Sequence, residues 1–216
     1  MRPRIKICCI GSMEEAMTAI GFGASAIGLV GRMPSGPGVI ADELIRRIAE
    51  SVPPPIATFL LTSETSADKI ILHHAIVRTS TIQMVDRLTH GSYQQIRDAL
   101  PAIKLVQVIH VTGEGSVDEA LEAEGRVDAI LLDSGNPGLR VKELGGTGRV
   151  HDWKLSRKIC EQVRIPVFLA GGLNHENVRR AIEEVQPFAI DVCSGVRSGG
   201  LLDKYKLELF FNAANC

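Results

Sequence analysis

Two apolar runs near the end of the chain break into glycine: Pro166-Val167-Phe168-Leu169-Ala170-Gly171-Gly172 and, one amphipathic segment later, Ile190-Asp191-Val192-Cys193-Ser194-Gly195. Each turn stands where a strand-like run opens into a helix-like one, so its backbone N–H groups are free to meet an anion. Gly171, Gly172, Ser194 and Gly195 are therefore expected to cradle a phosphate. Two further residues suit proton transfer. Cys8 lies in an apolar run near the start of the chain and Asp133 ends another at Leu131-Leu132-Asp133. A thiol and a carboxyl on two strand ends that face one mouth make a base and acid pair for moving protons on a sugar. A buried cysteine also serves as a small apolar filler, and an aspartate after a strand as a helix cap, so on residue type alone both readings stand.

The elements that must position these groups follow from hydrophobic periodicity. Strand-like runs fall at 5–9, 26–30, 56–61, 81–85, 105–111, 129–132, 167–169 and 189–192. Segments with apolar residues at helical spacing fall between and after them, at 13–20, 41–51, 66–76, 93–100, 117–123, 153–163, 177–185 and 202–213. Eight strand-helix units joined by short connections predict a closed parallel (β/α)8 TIM barrel, one domain over 1–216. Paired phosphate turns after the last two strands are the usual anion site of that fold. An open doubly wound sheet is disfavoured, because no Gly-x-Gly-x-x-Gly opens the first crossover. Two connections, 31–38 and 133–148, are rich in glycine and proline; both follow strands and are expected over the catalytic face.

Strand parity sharpens the first strand. In Ile5-Lys6-Ile7-Cys8-Cys9, Lys6 shares a face with Cys8, and Cys9 is expected on the opposite face, where its loss would touch stability more than rate. Lys6 is a candidate cation for the Cys8 sulfur, or a buried lysine paired with a carboxylate such as Asp191. Adjacent cysteines on opposite faces do not pair readily, and no Cys-x-x-Cys is present. The six histidines have no spacing that gathers three metal ligands, so a zinc site is not expected.

Composition narrows the partners. The chain has 216 residues, 45% hydrophobic and 23% charged, with a formal net charge of -1. It carries no basic block, one Trp and two Tyr, which argues against nucleic acid. No apolar run approaches the roughly 20 residues that span a bilayer. Met1-Arg2-Pro3-Arg4 leads into a strand rather than a leader-like segment. Five cysteines, an odd and scattered set, fit a reducing cytoplasm better than a disulfide framework.

Taken together, Lys6-Ile7-Cys8, Gly23-Ala24-Ser25-Ala26-Ile27-Gly28, Leu131-Leu132-Asp133-Ser134, Gly145-Gly146-Thr147-Gly148 with Asp152-Trp153, Leu169-Ala170-Gly171-Gly172-Leu173 with Glu176-Asn177-Val178, and Asp191-Val192-Cys193-Ser194-Gly195-Val196 resemble phosphoribosylanthranilate isomerase of tryptophan biosynthesis. The resemblance covers nearly the whole chain. It implies a cofactor-free and metal-free Amadori rearrangement that turns N-(5-phosphoribosyl)anthranilate into 1-(2-carboxyphenylamino)-1-deoxyribulose 5-phosphate. By position, it makes Cys8 the general base that takes the C2 proton and Asp133 the general acid at the ring oxygen. It also implies a small phosphorylated sugar as the partner and a monomer or homodimer as the assembly.

Three departures bear on the substrate. The family's Lys/Arg-rich loop after strand two, whose Arg helps hold the substrate, is Pro34-Ser35-Gly36-Pro37-Gly38 here; Arg32 just before it is the candidate replacement, or a solvated loop residue. The family's Gln-Leu-His-Gly after strand four is Gln83-Met84-Val85-Asp86, and its Ser-Ser-Gly-Val-Glu after strand eight is Cys193-Ser194-Gly195-Val196-Arg197. The residues therefore leave two further readings open: a diverged paralogue that isomerises another phosphorylated aminosugar, and a non-catalytic barrel that binds a phosphorylated ligand.

Overall fold

The computed structural model describes residues 3–135 and 150–215. Eight parallel strands close a barrel in chain order: β1 (Arg4–Ile7), β2 (Ala26–Val30), β3 (Ala57–Thr62), β4 (Thr81–Met84), β5 (Lys104–His110), β6 (Ala129–Asp133), β7 (Val167–Leu169) and β8 (Ala189–Val192). The helices that cover them are α1 (Met13–Gly21), α2 (Asp42–Ser51), α3 (Ala67–Val77), α4 (Tyr93–Ala99), α5 (Gly115–Glu124), α6 (Trp153–Gln162), α7 (Val178–Val185) and α8 (Lys204–Asn215). After β8 a 3-10 turn over Ser194–Val196 leads into a short antiparallel hairpin, β9 (Arg197–Ser198) and β10 (Leu201–Leu202). Among the described residues no helix is long and apolar enough to cross a membrane. The second glycine-rich loop, with Gly145-Gly146-Thr147-Gly148, lies almost wholly outside the described residues.

Strand alternation divides the core into two shells. Ile27, Leu29, Leu60, Ile82, Ile109, Ile130, Leu132 and Ile190 join the apolar layer packed with the helices, whereas Ala26, Val30, Phe59, Leu61, Val106, Val108, Ala129, Leu131, Phe168 and Ala189 form a second cluster. The second set sits on the opposite strand parity and fills the barrel interior. Gly28 belongs to it by parity, and it is glycine for a reason: a side chain there would begin 2.8 Å from the Cys8 sulfur and 3.2 Å from the Lys6 ammonium. Lys6, fully buried, occupies that room.

Helix starts follow local chemistry. Ser12 caps α1 by accepting from the Glu15 N–H at 3.1 Å, Ser92 caps α4 the same way from Gln95, and Asp152 caps α6 from Lys154. Many boundaries differ from the periodicity reading by one residue, and three larger shifts stand out. β1 ends at Ile7 rather than at Cys9, because Cys9 turns into the left-handed region at φ 61°. The last helix begins at Lys204, since Leu201–Leu202 pair with Arg197–Ser198 instead of joining it. α5 starts at Gly115, two residues before the first apolar position of its stripe.

Candidate active site

An open cavity of about 700 Å3, solvent at its mouth included, sits at the C-terminal ends of the strands. That is the end of the barrel where βα loops build active sites. Cys8 from the end of β1, Asp133 from β6, Gly171 and Gly172 after β7, and Ser194 after β8 all line it. The structure therefore brings together the residues that the sequence placed on separate strands. Gly195 is next to Ser194 and packs the two turns against each other: a Cβ on it would lie 2.0 Å from the Leu173 carbonyl oxygen.

Glycine shapes both turns. Gly171 and Gly172 are consecutive left-handed residues, at φ 85° and 64°, a conformation glycine adopts without steric cost. A Cβ at Gly171 would meet His151 Nδ1 at 2.9 Å, so the position has no room for a side chain. Among the described residues, the N–H groups of Gly171, Gly172, Ser194 and Gly195 meet no backbone acceptor. Asn177 steadies the first turn by donating its side-chain N–H to the Gly172 carbonyl at 3.0 Å and accepting from Asn174 N–H at 2.9 Å.

Asp133 is buried at the floor, and its carboxylate accepts from the Ser134 N–H at 2.8 Å. Burial pushes its carboxyl above the ordinary carboxylate range, opposed by that hydrogen bond and by the nearby His110 and Lys6. A carboxyl that holds its proton more tightly than a solvated one is suited to give it to an oxygen. Cys8, the residue after β1, is also buried and lines the same cavity. Lys6 lies one inward position below Cys8 and donates to Asp191 at 2.9 Å across the β1–β8 pairing, with its ammonium 5.1 Å from the centre of the Phe59 ring. Burial alone would favour neutral lysine; the Asp191 carboxylate outweighs it and holds Lys6 above its usual value. The charge partner that parity suggested for Cys8 is thus shared with a carboxylate.

Several placements were not legible in advance. Cys9 does not face away from the site: the left-handed turn swings it into the cavity lining, where its sulfur lies 2.7 Å from that of Cys193. Gln83, on an inward position of β4, lines the cavity with its side-chain carbonyl buried and without a donor among the described residues. A polar residue at that parity in an apolar interior was the available signal. Arg197 is spent on structure, donating to Glu15, to the carbonyls of Cys8 and Cys9, and to Gly200. Arg32 is exposed and does not line the cavity, whereas its neighbours Met33, Ser35, Gly36 and Pro37 do.

A closed parallel barrel with glycine turns after its last two strands, beside a buried thiol and a buried carboxyl, is the architecture of a phosphosugar-handling enzyme of the isomerase kind. Residues 5–213 match the model of the N-(5'-phosphoribosyl)anthranilate isomerase family, and the chain belongs to that family. An N-(5'-phosphoribosyl)anthranilate isomerase 2 of Methanosarcina mazei is 38% identical over 98% of this chain and 93% of its own length. The crystal structure of phosphoribosylanthranilate isomerase from Thermotoga maritima superposes with a TM-score of 0.81 at 31% identity, covering 99% of this chain and 98% of that one. A second such structure, in complex with reduced 1-(o-carboxyphenylamino)-1-deoxyribulose 5-phosphate, gives 0.78 at 29% identity, over 99% of this chain and 98% of that one.

Proposed function

We propose that this chain converts N-(5'-phosphoribosyl)anthranilate to 1-(2-carboxyphenylamino)-1-deoxyribulose 5-phosphate in tryptophan biosynthesis, in the cytoplasm, as a monomer or homodimer. The observation that carries the reading is a single cavity lined by Cys8, Asp133 and the two phosphate turns, in a chain that matches the isomerase family over its length. Asp133, its proton retained by burial, protonates the ring oxygen, and the furanose opens to a Schiff base. Cys8, on a different strand of the same rim, takes the C2 proton, and the enolamine relaxes to the aminoketose. The electron pair of the C2–H bond ends at C1, so no external oxidant or reductant enters. Gly171, Gly172, Ser194 and Gly195 hold the 5-phosphate by backbone N–H groups, which fixes C1 and C2 relative to the two proton-transfer groups.

The family match favours this reading over a diverged paralogue or a non-catalytic phosphate-ligand barrel. The substrate carboxylate needs hydrogen-bond donors, because removing it from water without them is costly. Arg32 is the sequence candidate, and it would have to swing inward from its exposed position to serve. Complementation of a cell lacking the isomerase, with Cys8→Ser as control, tests the function. Growth with the wild-type chain and none with the variant is the expected outcome. Turnover of phosphoribosylanthranilate by purified Arg32→Ala then shows whether Arg32 contributes: a loss of about 2–3 kcal/mol in kcat/KM is the scale of a charged hydrogen bond left unmade.

A further inference from the structure

Among the described residues the cavity lining carries three thiols, of which the proposed mechanism uses only that of Cys8. The other two belong to Cys9 and Cys193, 184 residues apart in sequence and 2.7 Å apart in the structure. The geometry points to Cys9 and Cys193 as a modification site, a thiol pair that closes to a reversible intramolecular disulfide when a peroxide enters the cavity. Both residues line the cavity, and Cys193 is only partly buried, so a small oxidant reaches the pair from the mouth.

Three features hold the sulfurs together. Cys9 adopts φ 61°, a left-handed conformation that a non-glycine residue takes only where its surroundings enforce it. Arg197 enforces it from one side by binding the carbonyls of Cys8 and Cys9 while anchored on Glu15. Gly38 presses from the other, so close that a Cβ there would fall 2.5 Å from that of Cys9. Two of the departures from the family pattern after strand eight, Cys193 and Arg197, thus both touch Cys9. The strand pairing of Ile7 with Val192 and the bond from Cys8 N–H to the Val192 carbonyl at 2.8 Å keep the two turns in register. The sulfurs need to approach by less than about 1 Å to reach the bond length of roughly 2.05 Å.

The electrostatics suit the chemistry. The hydrogen bond shared with Cys9 holds Cys193 below the ordinary thiol range, with the Arg197 charge assisting against burial, and the same bond pushes Cys9 up. Thiolate is the attacking form. The Cys193 sulfur attacks one peroxide oxygen, the O–O bond breaks, and the leaving hydroxide takes a proton to become water. The Cys9 sulfur then displaces hydroxide from the Cys193 sulfenic acid, and its own proton leaves with that hydroxide as a second water. Two thiols are oxidised to one disulfide and one peroxide is reduced to two waters; a dithiol reverses the bond by exchange.

The test uses the full chain, reduced, desalted and exposed to stoichiometric hydrogen peroxide, followed by alkylation and non-reducing peptide mapping. The expected result is a monomeric species lighter by two hydrogens, in which the peptide carrying Cys9 is joined to the one carrying Cys193 and from which dithiothreitol restores both thiols. Cys8→Ser should retain that bridge, and Cys193→Ser, which changes one sulfur to oxygen, should lack it. Alkylation of both Cys9 and Cys193 after peroxide treatment would overturn the proposal. So would a bridge through Cys8, Cys160 or Cys216, or one between two molecules.

Discussion

At the scale of single residues, the burial of Asp133 decides both its chemistry and its cost. Replacing Cys8 by Ala or Asp133 by Asn should each lower kcat by about 100-fold or more, the usual scale for losing a general base or acid, and steady-state turnover checks it. Asp133→Asn carries a second, oppositely directed effect. Because the folded carboxyl titrates above its unfolded value, the native state binds the extra proton, and stability is lost as pH rises through the folded value. Asparagine never ionises, so the variant should melt at a higher temperature than the wild type at pH 8. The difference should fade towards about pH 4, where the unfolded carboxyl is also protonated. Thermal melts across that range measure it; a variant that melts lower at pH 8 would mean that the charged carboxylate is stabilised where it stands. Cys8 and Asp133 were legible from sequence because Cys8 lies in one strand-like apolar run and Asp133 ends another. Cys9 was not, since alternation assumes an extended backbone and its left-handed turn breaks that assumption.

At the scale of elements, the anion site is a contact between two turns rather than a property of either. The Gly195 backbone lies against the Leu173 carbonyl, so a methyl group there has to push the β7 and β8 turns apart. Gly195→Ala should cost about 1–3 kcal/mol of stability by overpacking, the range for forcing atoms into a filled space. It should also raise KM for the phosphorylated substrate by roughly tenfold, as one good hydrogen bond to the phosphate is lost. Kinetics at saturating substrate should show a smaller change in kcat, because the proton-transfer groups sit on other strands. A KM that stays put would place the phosphate elsewhere. The turns themselves were readable as glycine breaks between a strand period and a helix period. That the hairpin Arg197–Leu202 folds back, and through Glu15 ties α1 to the β1 turn, was not. Those bonds join residues more than 180 positions apart, and periodicity holds only local information.

Across the whole molecule, barrel closure joins the first strand to the last, and the Lys6–Asp191 pair is buried at that seam. Breaking one partner strands the other charge in an apolar interior, so Lys6→Met should destabilise the fold by about 3–5 kcal/mol in urea unfolding. Lys6→Met with Asp191→Leu should recover much of that loss, because an apolar pair of similar volume avoids the desolvation of both charges. The chain alone determined the eight strand-helix units, the barrel they close, the glycine turns and the inward parity of Cys8 and Asp133. Each of these follows from backbone conformations and side-chain periods that operate over a few residues. Only the tertiary structure decided which inward groups meet: that Asp191 is the Lys6 partner, that Arg32 lies off the cavity, that the Gln83 side-chain carbonyl finds no donor among the described residues, and that Cys9 reaches Cys193. Such meetings depend on strand register, on the stagger that closes the ring, and on one left-handed residue. All three are set by the packing of the entire barrel.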